Sequence, residues 1–223
     1  MTDTWEVEGG VRIPVRNAYA IGWNYPEHNR EMGRQALGKL VVFQKSTGAL
    51  LANGGVLPYP EETEELHYEG ELVVLVGEGG ARIPPAEAAS RIAAYAAGID
   101  FTRRDLQREA KAKGEPWFAA KNFAGATAVG PFVAASRVEP IGSRRLALRV
   151  NGELRQESLL SAMLRPAPEL VSLVSRIVPL LPGDILFTGT PSGVGPVSPG
   201  DLVLCEIDGL PALEVRIGPR ESL

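Results

Sequence analysis

Residues Leu66 to Gly77 read LHYEGELVVLVG, and the reading of this stretch decides the fold. Its second half is apolar and rich in valine, the character of a buried strand. Side chains at i and i+2 share one face of a strand, so that face carries His67, Glu69, Glu71, Val73 and Leu75. Two carboxylates thus run directly into apolar positions. Like charges about 4 Å apart repel by about 4 kcal/mol at an effective dielectric of about 20, so something must offset them.

Strand signals continue on both sides. Asn151-Gly152 in LALRVNGELRQE is the strongest hairpin signal in the chain. It is followed by an apolar-periodic stretch PELVSLVSRIVPL, a turn LPGD, a strand DILFTG and a Gly/Pro loop TPSGVGPVSPGD. Two more strands, LVLCEI and ALEVRI, flank Asp208-Gly209. Three stretches predict helices: PPAEAASRIAAYA, RRDLQREAKAKG with Gly114 as its stop, and a short YPEHNREMG. The elements do not alternate regularly between strand and helix, which argues against a doubly wound parallel sheet. The fold class expected is α+β, mainly β, with a few short helices.

The 223 residues suffice for one large domain or two small ones, with 25 glycines and 18 prolines to serve frequent turns. Hydrophobic residues make up 44% and charged residues 22%, as in an ordinary folded protein rather than a disordered one. A formal net charge of −4 gives no basic footprint for nucleic acid or anionic membrane. The single cysteine, Cys205, excludes an internal disulfide framework and fits a reducing compartment. The start MTDTWEVEGG lacks the charged-then-apolar pattern of a signal peptide, and no apolar run is long enough to span a bilayer. A cytoplasmic location is the expectation.

A third carboxylate joins the acidic pair. The strand-like AAGIDFT sets Asp100 among apolar neighbours, where a lone carboxylate must be paired or bound to a metal. Glu69, Glu71 and Asp100 form an all-oxygen set of the kind preferred by Mg²⁺ or Mn²⁺. The bland alternative places the glutamates at a wet strand end and pairs Asp100 with Arg103 or Arg104. In NYPEHNREMG, Asn24 and Glu27 have the spacing of a capping box. His28 and Glu31 are then neighbours on one helix face, where the carboxylate would orient the imidazole and raise its pKa as a general base. A routine surface pair has the same spacing. Lys121 in WFAAKNFAGA either finds an anionic partner in the interior or snorkels to the surface. The loop TGTPSGVGP lacks the Gly-Lys-Ser/Thr ending of a phosphate loop, though its N–H groups and Thr190 suit a carboxylate. A plain turn fits equally.

Taken together, YAIGWNYPEHNREMG, HYEGELVVLVG, GIDFTRRDLQREAKAKGEPWFAAKNFAGATAVGPFV, VNGELRQE and LFTGTPSGVGPVSPGD closely resemble the fumarylacetoacetate hydrolase family. The likeness is greatest to its short, single-domain acylpyruvate hydrolase branch and runs from about Ala18 to Ile217. It implies a mixed β-sandwich or roll, with 1–223 as one catalytic domain, 1–17 as a short lead-in, and usually a homodimer. It assigns Glu69, Glu71 and Asp100 to Mg²⁺ or Mn²⁺, and His28, Glu31 and Lys121 to catalysis. Arg104, Gln107 and Thr190 fall at its substrate-binding positions. The activity implied is hydrolysis of a 3-acylpyruvate, such as fumarylpyruvate or acetylpyruvate, through a metal-stabilised enolate. The same enolate serves oxaloacetate decarboxylation or tautomerisation, or isomerisation of a 2-hydroxyhepta-2,4-diene-1,7-dioate in aromatic catabolism. Two departures bear on pocket shape: Phe43-Gln44-Lys45-Ser46 replaces an expected Phe-Leu-Lys-Pro, and Gly70 stands where relatives often carry a larger residue.

Overall fold

The computed structural model describes residues 4–33 and 41–220. The stretch from Leu66 is not one continuous strand. Leu66–Tyr68 belongs to a small sheet with Thr102–Arg103 and Gly195–Pro196, whereas Gly70–Val76 enters an eight-stranded sheet. Glu69 is the link between the two.

The large sheet runs in the order Val41–Lys45, Ala18–Gly22, Ile185–Phe187, Gly70–Val76, Ile92–Asp100, Thr127–Val129 and Leu50–Ala52, with Val133–Ala134 added beside Ile92–Asp100. Nearly every strand sends residues into one shared core, including Ala20, Val73, Leu75, Ala94, Ala96, Val129 and Phe187. A single face that packs against itself is a curled sheet, a roll. Its outer face supplies Leu72, Val74, Ala97 and Ile99 to a larger core shared with Leu148, Val203, Cys205 and Val215 of a second, five-stranded sheet. That sheet orders Glu153–Leu159, Arg145–Val150, Leu202–Ile207, Leu213–Arg220 and Val56–Tyr59. The α+β, mainly β expectation holds. No helix among the described residues is long and apolar enough to cross a membrane.

The Asn151-Gly152 hairpin forms as read, with both residues at positive φ (52° and 82°), as a tight turn between right-twisted strands requires. The helix Arg104–Lys113 ends at Gly114 in the left-handed conformation. PPAEAASRIAAYA departs from its expected helix. Only Pro85–Ala88 is α-helical, Ala89–Arg91 tightens to a 3₁₀ turn, and Ile92–Asp100 is a central strand. Tertiary packing overrides alanine's helix preference here, because the roll's interior is narrow and takes small side chains. At Gly98 a Cβ would lie 2.4 Å from Val73 Cγ2 and 2.7 Å from Phe187 Cε1.

The lead-in contains a hairpin of its own, Thr4–Val7 with Val11–Pro14; residues 1–3 lie outside the described ones. Trp5 is buried, donates its indole N–H to the Gly183 carbonyl at 2.9 Å and meets Phe132 edge-on. It covers the end of the roll where Val76 and Ile92 lie. At the opposite end are Glu71 and Asp100.

Candidate active site

The pleat explains how three carboxylates meet. Glu71, Val73 and Leu75 alternate onto the inner face of the roll, and so do Ala94, Ala96, Gly98 and Asp100 on the neighbouring strand. Glu71 pairs in register with Gly98, and the Asp100 N–H donates to the Glu69 carbonyl at 2.9 Å. The apolar inner face therefore turns acidic at one end. Oxygens of Glu69, Glu71 and Asp100 all lie within 4.8 Å of one another, and all three residues are buried. Neither the wet strand end nor the pairing of Asp100 with Arg103 or Arg104 is what the structure contains.

Among the described residues, three cations surround this set. Lys121, at the end of the short helix Phe118–Lys121, donates to Glu69 Oε2, Asp100 Oδ2 and Thr102 Oγ1, each at 2.7 Å. Lys45, fully buried, donates to Asp100 Oδ1 at 2.5 Å, to the Lys121 carbonyl at 2.5 Å and to the Ala126 carbonyl at 3.1 Å. Arg104, the first residue of its helix, donates to Glu69 Oε1 at 2.5 Å and to Gln107 Oε1 at 2.7 Å, and its Nε faces His67 Nδ1 at 3.4 Å.

The charges are unevenly shared. Burial opposes ionisation of Glu69, but Lys121 and Arg104 outweigh it and hold its carboxyl well below the usual range. At Glu71, burial and the charges of Asp100 and Glu69 together push the carboxyl well above that range, although the Gly189 N–H donates to its Oε2 at 2.6 Å. Burial lowers the Lys45 ammonium; Lys121, just as buried, is raised because Asp100 and Glu69 outweigh its desolvation. Positive charge is thus wanted most at Glu71. Three converging carboxylates, one of them driven toward protonation, are a donor set that fits a hard divalent cation.

His28 lies in the helix Pro26–Glu31, buried, with Nδ1 3.3 Å from Glu31 Oε2 and its ring stacked 6.0 Å from that of Trp23. The expected rise in its pKa is not found. Burial is the largest influence and lowers it, outweighing Glu69 and Glu31, so the imidazole is held neutral. The capping box is also absent. Tyr25 is the N-cap, and Asn24 instead uses its side chain to accept from the Arg165 N–H and to donate to the carbonyls of Arg165 and Thr188. That ties the segment before His28 to the end of the Ile185–Phe187 strand.

The Gly/Pro loop does meet carboxylates, and they are the protein's own. Gly189 N–H holds Glu71, and Gly193 N–H holds Glu31 at 3.1 and 3.3 Å. Gly193 has φ 93°, and a Cβ there would lie 2.2 Å from the Arg155 carbonyl oxygen. Thr190 donates to the Gly70 carbonyl at 2.9 Å and accepts from Gln156 Nε2 at 2.8 Å. It still reaches the cleft that is lined by His28, Glu69, Glu71, Asp100, Arg104, Gln107 and Lys121. The same cleft includes Phe43, from the segment that departs from the family pattern, and Trp23, Lys111 and Trp117, which sequence reasoning did not single out. It also passed over Lys45 as a site residue, although an unpaired lysine in the apolar VVFQKS run carried the same signal as Lys121. Gly70 is tight: a Cβ would stand 3.0 Å from Leu148 Cδ1 and 3.2 Å from Gln156 Oε1.

A family model described as fumarylacetoacetate (FAA) hydrolase C-terminal matches residues 17–218. The mouse protein oxaloacetate tautomerase FAHD1, mitochondrial, is 40% identical over 202 residues, covering 91% of each chain. A crystal structure of fumarylpyruvate hydrolase from Pseudomonas aeruginosa, in complex with Mn²⁺ and pyruvate, superposes with TM-score 0.93 at 39% identity, covering 97% of this chain and 96% of that one. A 5-carboxymethyl-2-hydroxymuconate delta-isomerase from Mycobacterium smegmatis superposes with TM-score 0.84 at 33% identity, over 95% of this chain and 82% of its own.

Proposed function

The chain belongs to the fumarylacetoacetate hydrolase family of enzymes, and from that premise we propose that it hydrolyses the C–C bond of a 3-acylpyruvate. The products are pyruvate and a carboxylic acid, with Mg²⁺ or Mn²⁺ held by Glu69, Glu71 and Asp100. One observation carries the reading: the three carboxylates converge in the same cleft as His28, whose Nδ1 lies 3.3 Å from Glu31 Oε2.

When bound, the dication supplies Lewis-acid stabilisation of negative charge developing on the 2-oxo acid. The chain's own residues do the rest. His28, oriented by Glu31, takes a proton from water, which attacks the distal carbonyl. The C–C bond breaks, its electron pair passes to the pyruvate fragment as an enolate, and the imidazolium returns the proton to carbon. Lys121 sets fixed positive charge beside the developing anion, where preorganised charge acts most strongly. Arg104 and Gln107 orient the substrate, and Thr190 fixes the loop that carries the N–H of Gly189.

A second reading, keto–enol tautomerisation or decarboxylation of oxaloacetate, is supported by the mouse relative and by the burial of His28, which suits a proton shuttle that needs no attacking water. An isomerase activity would use the same groups. Initial rates on acetylpyruvate, fumarylpyruvate and oxaloacetate, each with Mg²⁺ and with EDTA, decide between them. Metal-dependent cleavage of an acylpyruvate upholds the hydrolase; turnover of oxaloacetate alone replaces it with the tautomerase or decarboxylase. The proposal includes a homodimer and a cytoplasmic setting. A light-scattering mass of 23.8 kDa would remove the dimer.

A further inference from the structure

His67 has no part in the chemistry above and is not among the residues that line the cleft, whereas Arg104 and Gln107 both line it. Its Nδ1 lies 3.4 Å from Arg104 Nε, whose N–H donates to it. A ring nitrogen that accepts carries a lone pair, so Nδ1 is the unprotonated nitrogen in this contact. Glu69, two residues on, accepts from Arg104 Nη2 at 2.5 Å. Nε and Nη2 lie along one edge of the guanidinium, and the i and i+2 side chains of an extended segment meet that edge together.

The remaining nitrogen is engaged as well. Arg104 Nη1 donates to Gln107 Oε1 at 2.7 Å, which leaves the NH₂ group of that amide as the donor Gln107 can offer to the cleft it lines. A guanidinium held at Nη1 and Nη2 alone can still tilt about the line that joins them. The acceptor at Nε removes that freedom. The backbone is tied at the same place: Thr102 pairs in register with His67, Arg103 pairs with Leu66, and the Arg104 N–H donates to the Glu65 carbonyl at 2.7 Å. His67 thus belongs to the strand on which Arg104 is mounted.

We propose that His67 is a positioning residue: by holding Arg104 Nε it sets the orientation in which Arg104 and Gln107 receive a 2-oxo acid. This rests on the reading of the cleft as a 2-oxo-acid site and adds to it a residue that touches no substrate. A purely structural role in the small sheet is the competing account, and it would weaken the cation and the 2-oxo acid together.

The test is calorimetry on the full-length protein, with Mn²⁺ titrated first and pyruvate titrated into the Mn²⁺-loaded form. Loss of one hydrogen bond that acts through a second residue corresponds to about three- to tenfold in affinity, so His67→Leu weakens pyruvate by that factor and changes Mn²⁺ affinity by less than about twofold. His67→Asn, whose amide oxygen can reach the position of Nδ1, restores pyruvate binding. His67→Gln, one methylene longer, does not. In an Arg104→Lys background, which keeps the charge but has no Nε–H, His67→Leu has no further effect. The proposal is overturned if His67→Leu leaves pyruvate affinity unchanged, if Mn²⁺ weakens in step with pyruvate, if the Asn and Gln variants behave alike, or if His67→Leu costs as much in the Arg104→Lys background. The Asn and Gln pair decides the matter should the leucine variant fail to fold. Pyruvate binding that follows the expected pattern in a protein that cleaves no acylpyruvate upholds His67 and removes the hydrolase reading. Absence of pyruvate binding by the Mn²⁺-loaded wild type removes both.

Discussion

Lys45→Met keeps most of the side chain's length and apolar stem while deleting an ammonium that is fully buried and donates to Asp100 Oδ1 and to the carbonyls of Lys121 and Ala126. Removing one partner of a buried ion pair costs about 3–5 kcal/mol. Each carbonyl left without a donor adds about 1–3 kcal/mol. Two features offset part of this. Asp100 keeps Lys121 on its other oxygen, and burial already lowers the Lys45 ammonium, so the native pair carries its own desolvation penalty. A net loss of about 4 kcal/mol is expected, which in a chain of this size lowers Tm by about 8–16 °C. Urea unfolding of the metal-free protein measures it, with an unchanged slope showing that the unfolded state is not altered. Asp100→Asn in the same background tests the cause. Once the lysine is gone the aspartate charge is a liability, so the double variant should recover about 2 kcal/mol relative to additivity. A single-variant loss below about 1 kcal/mol, or strict additivity, would refute the picture of Lys45 as the cation that holds Asp100 in place.

His28→Ala should lower turnover by about 10²–10⁴ while calorimetry still finds Mn²⁺ bound; unchanged turnover takes His28 out of the mechanism. The acid limb of kcat/KM should fall below the ordinary histidine range, because burial lowers His28 and a base acts only when neutral. Glu31 raises His28, so Glu31→Gln should move that limb to still lower pH, and an upward shift would contradict the assignment. Gly98→Ala should cost about 1–3 kcal/mol or more in urea unfolding, since its Cβ meets Val73 Cγ2 at 2.4 Å. A neutral result would mean the roll is less tightly filled than it stands.

Much of the site was legible because its chemistry violates ordinary burial. Two glutamates on a valine-rich strand, an aspartate in AAGIDFT and a lysine in WFAAKNF each demand a partner, and they find one another. Hairpin and helix ends were legible where a backbone conformation selects the residue, as at Asn151-Gly152 and Gly114. The strand through Ala93 to Ala97 was not, because its alanines answer to a narrow interior that local propensity does not register. Nor was the neutral His28. Spacing finds its carboxylate at Glu31, but the burial that outweighs that carboxylate is a property of the assembled fold. Asn24 likewise offered a cap by spacing and bonded instead to residues more than a hundred positions away.

Glu69 occupies the single residue between the last strand residue of the small sheet, Tyr68, and the first of the large one, Gly70. Glu71 and Asp100 belong to the large sheet alone. Whatever bridges the three carboxylates therefore adds a clasp between two sheets that meet here through the chain at Glu69 and Phe101, through the Lys121 contacts to Glu69, Asp100 and Thr102, and through the Arg104 contact to Glu69. Occupancy of the site and local opening of the small sheet become opposed sides of one equilibrium. Amide hydrogen exchange at Leu66–Tyr68 and Thr102–Arg103 should slow when Mn²⁺ is added, more than exchange within the central strands. By reciprocity, a substitution that loosens the small sheet weakens the cation by the same factor, without touching any of its ligands.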